Sequence, residues 1–350
     1  MGDRIAEADA GDAMAGVAAA VINFNTASLT ARCMRSLLEA GIQRVVVLDN
    51  GSASEDYRRL RDESPVCEKR VRIVRSETNL GFAQGSNQLI EEALQDPACE
   101  RVLLLNSDAT VDAGGLGACL RAMRGSGHDL MGGRMLKPTT PGSAGQAVDS
   151  LGITLYKSLL ASNRMSTADR YLGPTGGFAV YSRRFVEEVK SLHGYVFDPA
   201  YFCYAEDTDL CMRARLMRSS VGYIDDVVAY HEGQASNAGQ YNDFILYHGI
   251  RNSIWMAAKS IPAWILLTHL PWYLLLHAAI IVRHTASGRW RTLLRLYRDA
   301  IAGLPAVLAK RRAVQASRRI SLAEFRALID PQFYEPRFLK NAIRELFRRT

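Results

Sequence analysis

A run of four apolar residues, Val102 to Leu105, stops abruptly at Asn106, Ser107 and Asp108. In an open α/β sheet, ligands sit beyond the carboxyl ends of the parallel strands, so a buried strand that ends in a lone carboxylate offers that group to a ligand. The pattern recurs: Val45 to Leu48 ends at Asp49 and Asn50, and Ala18 to Ile22 ends at Asn23, Phe24 and Asn25. Three apolar strands delivering polar side chains to one edge predict a polar ligand along that edge. Asp108 suits a hard divalent cation, with Asn106 on the same side of the extended segment. One carboxylate is a poor Mg²⁺ site unless the substrate adds phosphate oxygens. The competing role for Asp108, and for Asp49 with Ser52, is to cap the turn that follows.

Further along, Glu206, Asp207 and Asp209 open a helical pattern that runs from Leu210 to Met217. Acids at a helix start are stabilised by the free N–H groups there. Three within four positions exceed what a cap needs, so one carboxylate is free to act as a general base. Arg213 lies one helical turn on and is placed to steady the cluster. His231 ends an apolar strand; at the same edge as Asp108 it becomes a metal ligand, and elsewhere it is a structural histidine. The segment Asn79, Leu80, Gly81, Phe82, Ala83 opens another helix and would offer backbone N–H groups to an anion. It matches neither the Gly-rich dinucleotide fingerprint nor the Walker loop, which disfavours a dehydrogenase or a kinase. Gly176 and Gly177 lead into a strand that ends at Tyr181 and would let the backbone come close to a ligand.

Strands at Val17 to Asn23, Arg44 to Asp49, Val71 to Arg75 and Arg101 to Leu105 alternate with helical patterns at Ser28 to Ala40, Asp56 to Glu63, Ala83 to Gln95 and Gly115 to Met123. Strict alternation implies α/β architecture with a mostly parallel sheet. From Asp129 to Leu172, Gly, Ser and Thr accumulate, which predicts loops and short strands. A short strand pair, Gly222 to Ile224 and Val227 to Tyr230, is expected before His231.

The chain has 350 residues, 48% of them hydrophobic, with a net charge of +7. The charge is uneven: from Arg283 to Arg319 there are ten Lys or Arg against Asp299 alone. Just before this stretch, Ile261 to Val282 has no Asp, Glu, Lys or Arg, close to the about 20 residues that span a bilayer. Pro262 and Pro271 argue against one straight spanning helix. Trp264, Trp272 and Tyr273 suit an interface, so the segment is expected to lie in or dip into one leaflet rather than pack as a buried helix pair. Basic residues after it would rest on anionic headgroups at the cytoplasmic face. No recognised nucleic-acid-binding motif accompanies the arginines, and no nucleic acid partner is expected. Six scattered cysteines read as core residues of a reducing compartment. Met1 to Gly16 reads as a fraying terminus rather than a signal peptide.

The ordered series resembles the family 2 inverting glycosyltransferases of GT-A fold over roughly Val17 to Ser236. The series is Asn23, Phe24, Asn25; Asp49, Asn50, Gly51, Ser52; Asn79 to Ala83; Asn106, Ser107, Asp108; Gly176, Gly177; Glu206 to Leu210; and His231. The resemblance implies a nucleotide-sugar glycosyltransferase domain over 17–240; composition and pattern set a disordered 1–16 before it and a helical, membrane-associating region over 241–350 after it. The resemblance further implies that Asp49, Asn50 and the turn from Asn23 to Asn25 hold base and ribose, that Asp108 and His231 bind Mg²⁺ or Mn²⁺, and that Asp207 is the base, with Glu206 orienting a hydroxyl. Asn106 stands where the family's Asp-x-Asp motif has its first acid, which weakens the cation site. Within the family the motifs look most like bacterial rhamnosyltransferases of surface polysaccharide synthesis. A dTDP-L-rhamnose donor and a lipid-linked glycan acceptor at the inner face of the cytoplasmic membrane are then expected. A sugar nucleotidyltransferase would need a basic, Gly-rich triphosphate loop near the N-terminus, which the sequence lacks. A non-catalytic sugar-nucleotide or membrane-binding module has Asn106 alone in its favour.

Overall fold

The computed structural model describes residues 13–64, 69–138, 146–233 and 242–336. It divides into two compact units, Met1–Gly152 with Gly173–Phe202 and Ser219–Gln240, and Ile153–Leu172 with Cys203–Arg218 and Tyr241–Thr350. In chain order the first unit begins with β1 (Val17–Asn23), α1 (Ala27–Glu39), β2 (Arg44–Asn50), α2 (Ser54–Glu63) and β3 (Val71–Ser76). It continues with α3 (Gly81–Leu94), β4 (Arg101–Asn106), β5 (Ala109–Val111), α4 (Ala113–Ser126), β6 (Leu130–Leu136) and β7 (Val148–Ser150). The second unit then supplies β8 (Ile153–Tyr156) and β9 (Ala161–Asn163). The chain returns to the first with β10 (Phe178–Ser182) and α5 (Arg183–His193), crosses to the second for α6 (Glu206–Leu216), and completes the first with β11 (Val221–His231). The remaining elements, α7 (Asp243–Ser260), α8 (Ala263–Ala286), α9 (Trp290–Ala316), α10 (Leu322–Ala327) and β12 (Ile329–Asp330), belong to the second unit.

The first unit is built on one sheet in the order β3-β2-β1-β4-β10-β6-β11-β5, with β7 paired to β6. Strands β3, β2, β1 and β4 run parallel, as strict alternation with helices requires. Strand β1 is buried along almost its whole length, the burial expected when both faces of a parallel sheet are covered. Helix α1 meets the sheet through Ala27, Ala31, Met34, Leu37 and Leu38, spaced three and four residues apart so that they share one face. These side chains join Val21, Val47, Leu103, Leu105, Leu116, Leu120 and Phe178 in the main core. Each buried Leu or Val there contributes about 1.5–3 kcal/mol relative to exposure.

Beyond β4 the sheet is mixed, and here the sequence reading needs correction. Strand β10 runs antiparallel to both β4 and β6, and β5 antiparallel to β11. The region from Asp129, expected to be loop-rich, begins with the seven-residue buried strand β6. Its Gly132 and Gly133 weaken the strand signal. A Cβ on Gly133 would lie 2.4 Å from Val228 Cγ1, so close strand packing requires glycine there. The expected short strand pair is a single strand, β11, with register shifts between Ile224 and Val227 and between Val227 and Ala229. The acids Asp225 and Asp226 mimic a turn, but Asp225 instead takes Arg134 as a bidentate partner at 2.6 and 2.7 Å. Residues 1–12 of the expected fraying terminus lie outside the described residues, whereas Ala13 and Met14 are buried in the main core.

The second unit is mostly helical, with a small sheet in the order β12-β8-β9. Tyr156, Leu246, Ile250, Leu276, Ile280, Leu293, Leu296 and Tyr334 form its core. Helix α8 continues unbroken through Pro271, contrary to the helix pair weighed from the sequence. Its later residues Leu276 and Ile280 are anchored in the unit's core, which keeps the helix going past the hydrogen bond that Pro271 removes. The rest of α8 finds little cover. Most of its apolar surface is exposed, including Trp264, Leu267, Leu274, Leu275 and Val282.

Candidate active site

The strand ends in the first unit do carry polar groups, and their hydrogen bonds separate those that face a ligand from those that support the edge. Asn23, paired in register with Asp49, is fully buried. Its Nδ2 donates to Asp49 Oδ1 (3.0 Å), Ser52 Oγ (3.1 Å) and Asp56 Oδ2 (3.1 Å), while its Oδ1 accepts from the Thr30 hydroxyl at 2.7 Å and Thr26 at 3.2 Å. An amide this saturated orders its neighbours rather than holding a ligand, which corrects the sequence assignment. Asn25, in the left-handed region at φ 55°, accepts from the Ala53 N–H through Oδ1, and its own N–H donates to Ser52 Oγ. Asp56 also accepts from the Ala27 N–H at 3.1 Å, filling the N-terminus of α1. Asp49 is closed off from solvent; its Oδ2 has no hydrogen-bond donor, although Arg75 Nε lies 3.3 Å away. That guanidinium stacks on Tyr57, 4.1 Å from the ring centroid.

In the Asn79–Ala83 loop, three of the N–H groups are already engaged. Leu80 N–H donates to Asn50 Oδ1, Gly81 N–H to Asn79 Oδ1 and Ala83 N–H to the Phe202 carbonyl, at 2.9, 2.8 and 3.0 Å. Asn50 Nδ2 returns to Asn79 Oδ1 and the Gly81 carbonyl. Asn50, Asn79 and Gly81 thus lock the entry to α3. Gly81, at φ 74°, has no room for a Cβ, which would lie 2.5 Å from Phe202. Gly177 keeps an ordinary φ and closes the β4 ladder by accepting from the Asn106 N–H, directly after Gly176.

Asp108 and His231 do converge. The antiparallel pairing of His231 with Ala109 brings the imidazole to the end of β4, where Nε2 lies 3.0 Å from Asp108 Oδ1 and 3.3 Å from Asn106 Nδ2. Its Nδ1 lies 2.8 Å from Asp149 Oδ2, on β7. Asp149 had no signal in the sequence because it stands in the Gly- and Ser-rich stretch read as loop. A carboxylate behind a histidine fixes the ring and raises its basicity, the arrangement common behind metal-bound imidazoles. Burial disfavours the charged imidazole, but the hydrogen bonds and negative charges of Asp108 and Asp149 outweigh it and raise the His231 pKa to about 9. Among the described residues no group of three or more His, Cys, Asp or Glu forms a metal cage. A carboxylate and an imidazole at one point are donors of the kind a divalent cation takes when a substrate phosphate supplies further oxygens.

Glu206 and Asp207 belong to the second unit, in the first turn of α6. Tyr204 and Ala205, just before them, both stand at φ 67°, and such left-handed non-glycine residues each cost about 1–3 kcal/mol. Glu206 is 6% exposed, and its Oε2 has no hydrogen-bond partner. Burial, then the charges of Asp207 and Asp209, push the Glu206 pKa well above the usual range, so it keeps its proton at higher pH than an ordinary acid. Asp207 is half-buried and accepts from the Thr208 N–H at 2.6 Å. Both acids line a cavity of about 250 Å³ with Ser162, Asn163, Tyr204 and Ser253. Arg213 steadies Asp209 rather than the two leading acids: Arg213 Nε and Lys259 Nζ reach Asp209 Oδ2 at 2.9 and 3.0 Å, and Ser260 donates to Oδ1.

At pH 7 the metal-free imidazole carries a proton that a cation must displace, and this competition operates below the pKa and vanishes above it. Mn²⁺ affinity from titration calorimetry is expected to rise roughly tenfold per pH unit below about 9, with proton release, and then to level off. Asp149→Asn is expected to weaken Mn²⁺ binding about 10–100-fold. Affinity independent of pH between about 6.5 and 8.5 would contradict the assignment of His231 as a ligand.

Comparison with known proteins bears on the fold and the family. The chain is 22% identical over 227 residues to the low-salt glycan biosynthesis hexosyltransferase Agl10 of Haloferax volcanii, covering 63% of this chain and 69% of that protein. The crystal structure of GalNAc-T7 with UDP, GalNAc and Mn²⁺ superposes with a TM-score of 0.57 at 13% identity, over 82% of this chain; the match spans 55% of that chain, about half its length. At that identity the likeness is one of fold. Residues 19–190, just under half of the chain, match the profile of the glycosyl transferase family 2, and the fold is GT-A-like.

Proposed function

We propose that this chain is an inverting glycosyltransferase that moves a sugar from a nucleoside diphosphate to a hydroxyl of a glycan or lipid-linked acceptor. Resemblance to rhamnosyltransferases of surface polysaccharide synthesis favours dTDP-L-rhamnose as donor. One observation carries the reading: a carboxylate and an imidazole, Asp108 and His231, meet at the carboxyl end of β4, with Asp149 behind the ring, in a chain whose residues 19–190 match the family 2 profile. Its relation to a Haloferax volcanii hexosyltransferase supports sugar transfer.

In this reading Asp207 takes the proton of the acceptor hydroxyl as that oxygen attacks the anomeric carbon, a contribution of about 10²–10⁴-fold in rate. Glu206 orients a hydroxyl. Asp49, whose Oδ2 lacks a donor, accepts one from the base or ribose beside the turn at Asn25. Asp108 and His231 would hold Mg²⁺ or Mn²⁺, which when bound offsets the charge that develops on the departing diphosphate. Purified protein assayed with a panel of nucleotide sugars and Mn²⁺ is expected to release nucleoside diphosphate from one donor. Asp108→Ala and Asp207→Asn should each lose about 10²-fold or more of that turnover. Full activity in Asp207→Asn with loss in Glu206→Gln would exchange the two acids' roles. No binding of any donor would favour a non-catalytic module.

The exposed face of α8 supports a second element of the reading, association with the inner face of the cytoplasmic membrane, without a requirement to span it. Trp264, Leu267, Leu274 and Leu275 would enter the leaflet while Arg291, Arg295 and Arg298 of α9 meet anionic headgroups. The protein is expected to co-sediment with vesicles containing phosphatidylglycerol and less with neutral ones. Leu274→Asp with Leu275→Asp should abolish that binding, and equal sedimentation of the variant would count against this face.

A further inference from the structure

The backbone before the catalytic helix is strained, and one buried amide holds it. Tyr204 and Ala205 are left-handed without being glycine, and Ala205 is the N-cap of α6 with no side-chain cap of its own. Such conformations persist only where their surroundings fix them, and they gather at functional sites. Here the fixing group comes from α7. Asn252, fully buried, donates through Nδ2 to the carbonyls of both Cys203 and Tyr204 at 2.8 Å. Its Oδ1 accepts from Arg251 Nε at 3.0 Å and Nη2 at 2.8 Å, which pins the amide orientation. Arg251 is itself held between aromatic groups, 4.3 Å from the Trp255 ring and 4.9 Å from the Tyr247 ring, and donates to the Tyr247 hydroxyl, which donates in turn to Asp299 Oδ2.

We infer that Asn252 is a positioning residue for the acids of α6: by bridging two successive carbonyls it holds the left-handed turn whose end sets where the Glu206 and Asp207 carboxyls stand. The inference rests on the proposed transfer reaction and adds to it a group that touches neither substrate nor base. The two bonds aim at backbone, not at side chains, so they fix the direction in which α6 starts. A displacement of about 1 Å at a catalytic group is enough to cost 10²-fold in rate. A packing role would need only the shape of the side chain. The positioning role needs the two N–H groups, and Asn252→Asp separates the two because it keeps shape and the Arg251 partnership while removing both donors.

The test compares wild type and N252D for transfer kcat, for nucleoside diphosphate Kd with Mn²⁺, and for hydrogen–deuterium exchange of residues 203–207. The expected result is kcat lowered about 10²-fold, Kd within about twofold of wild type, and faster exchange confined to that peptide. Wild-type kcat in N252D would overturn the inference, as would a parallel loss of Kd and of protection throughout the chain. Should the wild-type chain transfer no sugar, the reaction itself is wrong; unchanged exchange at 203–207 in N252D would then also remove Asn252 as the holder of the turn, and localised fast exchange would keep that role.

Discussion

His231 stands with one ring nitrogen 3.0 Å from Asp108 and the other 2.8 Å from Asp149, and the delivery of these three groups to one point accounts for much of the topology of the first unit. Asp108 follows β4 in the parallel half of the sheet. His231 closes β11, which pairs with β6 over most of its length and then with β5, the short strand just after Asp108. Asp149 arrives on β7, antiparallel to β6. The mixed half of the sheet thus brings an imidazole and the carboxylate behind it to the end of a parallel strand. The cost is tight strand packing at Gly133, where Val228 leaves no space for a side chain.

Much of the parallel half could be read from the sequence because its signals are local. Continuous apolar runs of strand length, separated by helices with apolar residues at three- and four-residue spacing, describe β1 to β4 and α1 to α3 within one or two residues. The polar residues at the strand ends were also legible, but their roles were not. Asn23 and Asp49 both follow an apolar run; only the fold shows that Asn23 spends every hydrogen bond on neighbouring side chains while an oxygen of Asp49 is left without a donor. The same limit hid Asp149 and Asn252. Each acts on a residue 82 or 48–49 positions away, and nothing in a local window marks such a pairing. Strand β6 was missed for a different reason, since its Gly133 answers to a distant side chain, Val228, rather than to the propensity of its own segment.

The two units secure their acids by contrasting means. In the first, charge is balanced by an imidazole and by Arg75 beside Asp49. In the second, α6 is tied down by the buried cluster of Asp209, Arg213 and Lys259, whose loss of one partner would leave an uncompensated charge in the interior. That cluster anchors α6 through Asp209, three positions beyond Glu206, without drawing on the Glu206 carboxyl. The separation explains how a buried carboxyl without a hydrogen-bond partner, Glu206 Oε2, can persist at the edge of a cavity: the helix that carries it is held elsewhere.

The central claim is a single displacement, in which a base on α6 drives the acceptor oxygen onto the face of the anomeric carbon opposite the leaving diphosphate. The anomeric configuration of the transferred sugar, read from proton couplings and carbon–proton coupling at the new linkage by NMR, tests this most directly. The account predicts a product of configuration opposite to that of the donor. A product that retains the donor's configuration would contradict it, whatever the identity of the sugar.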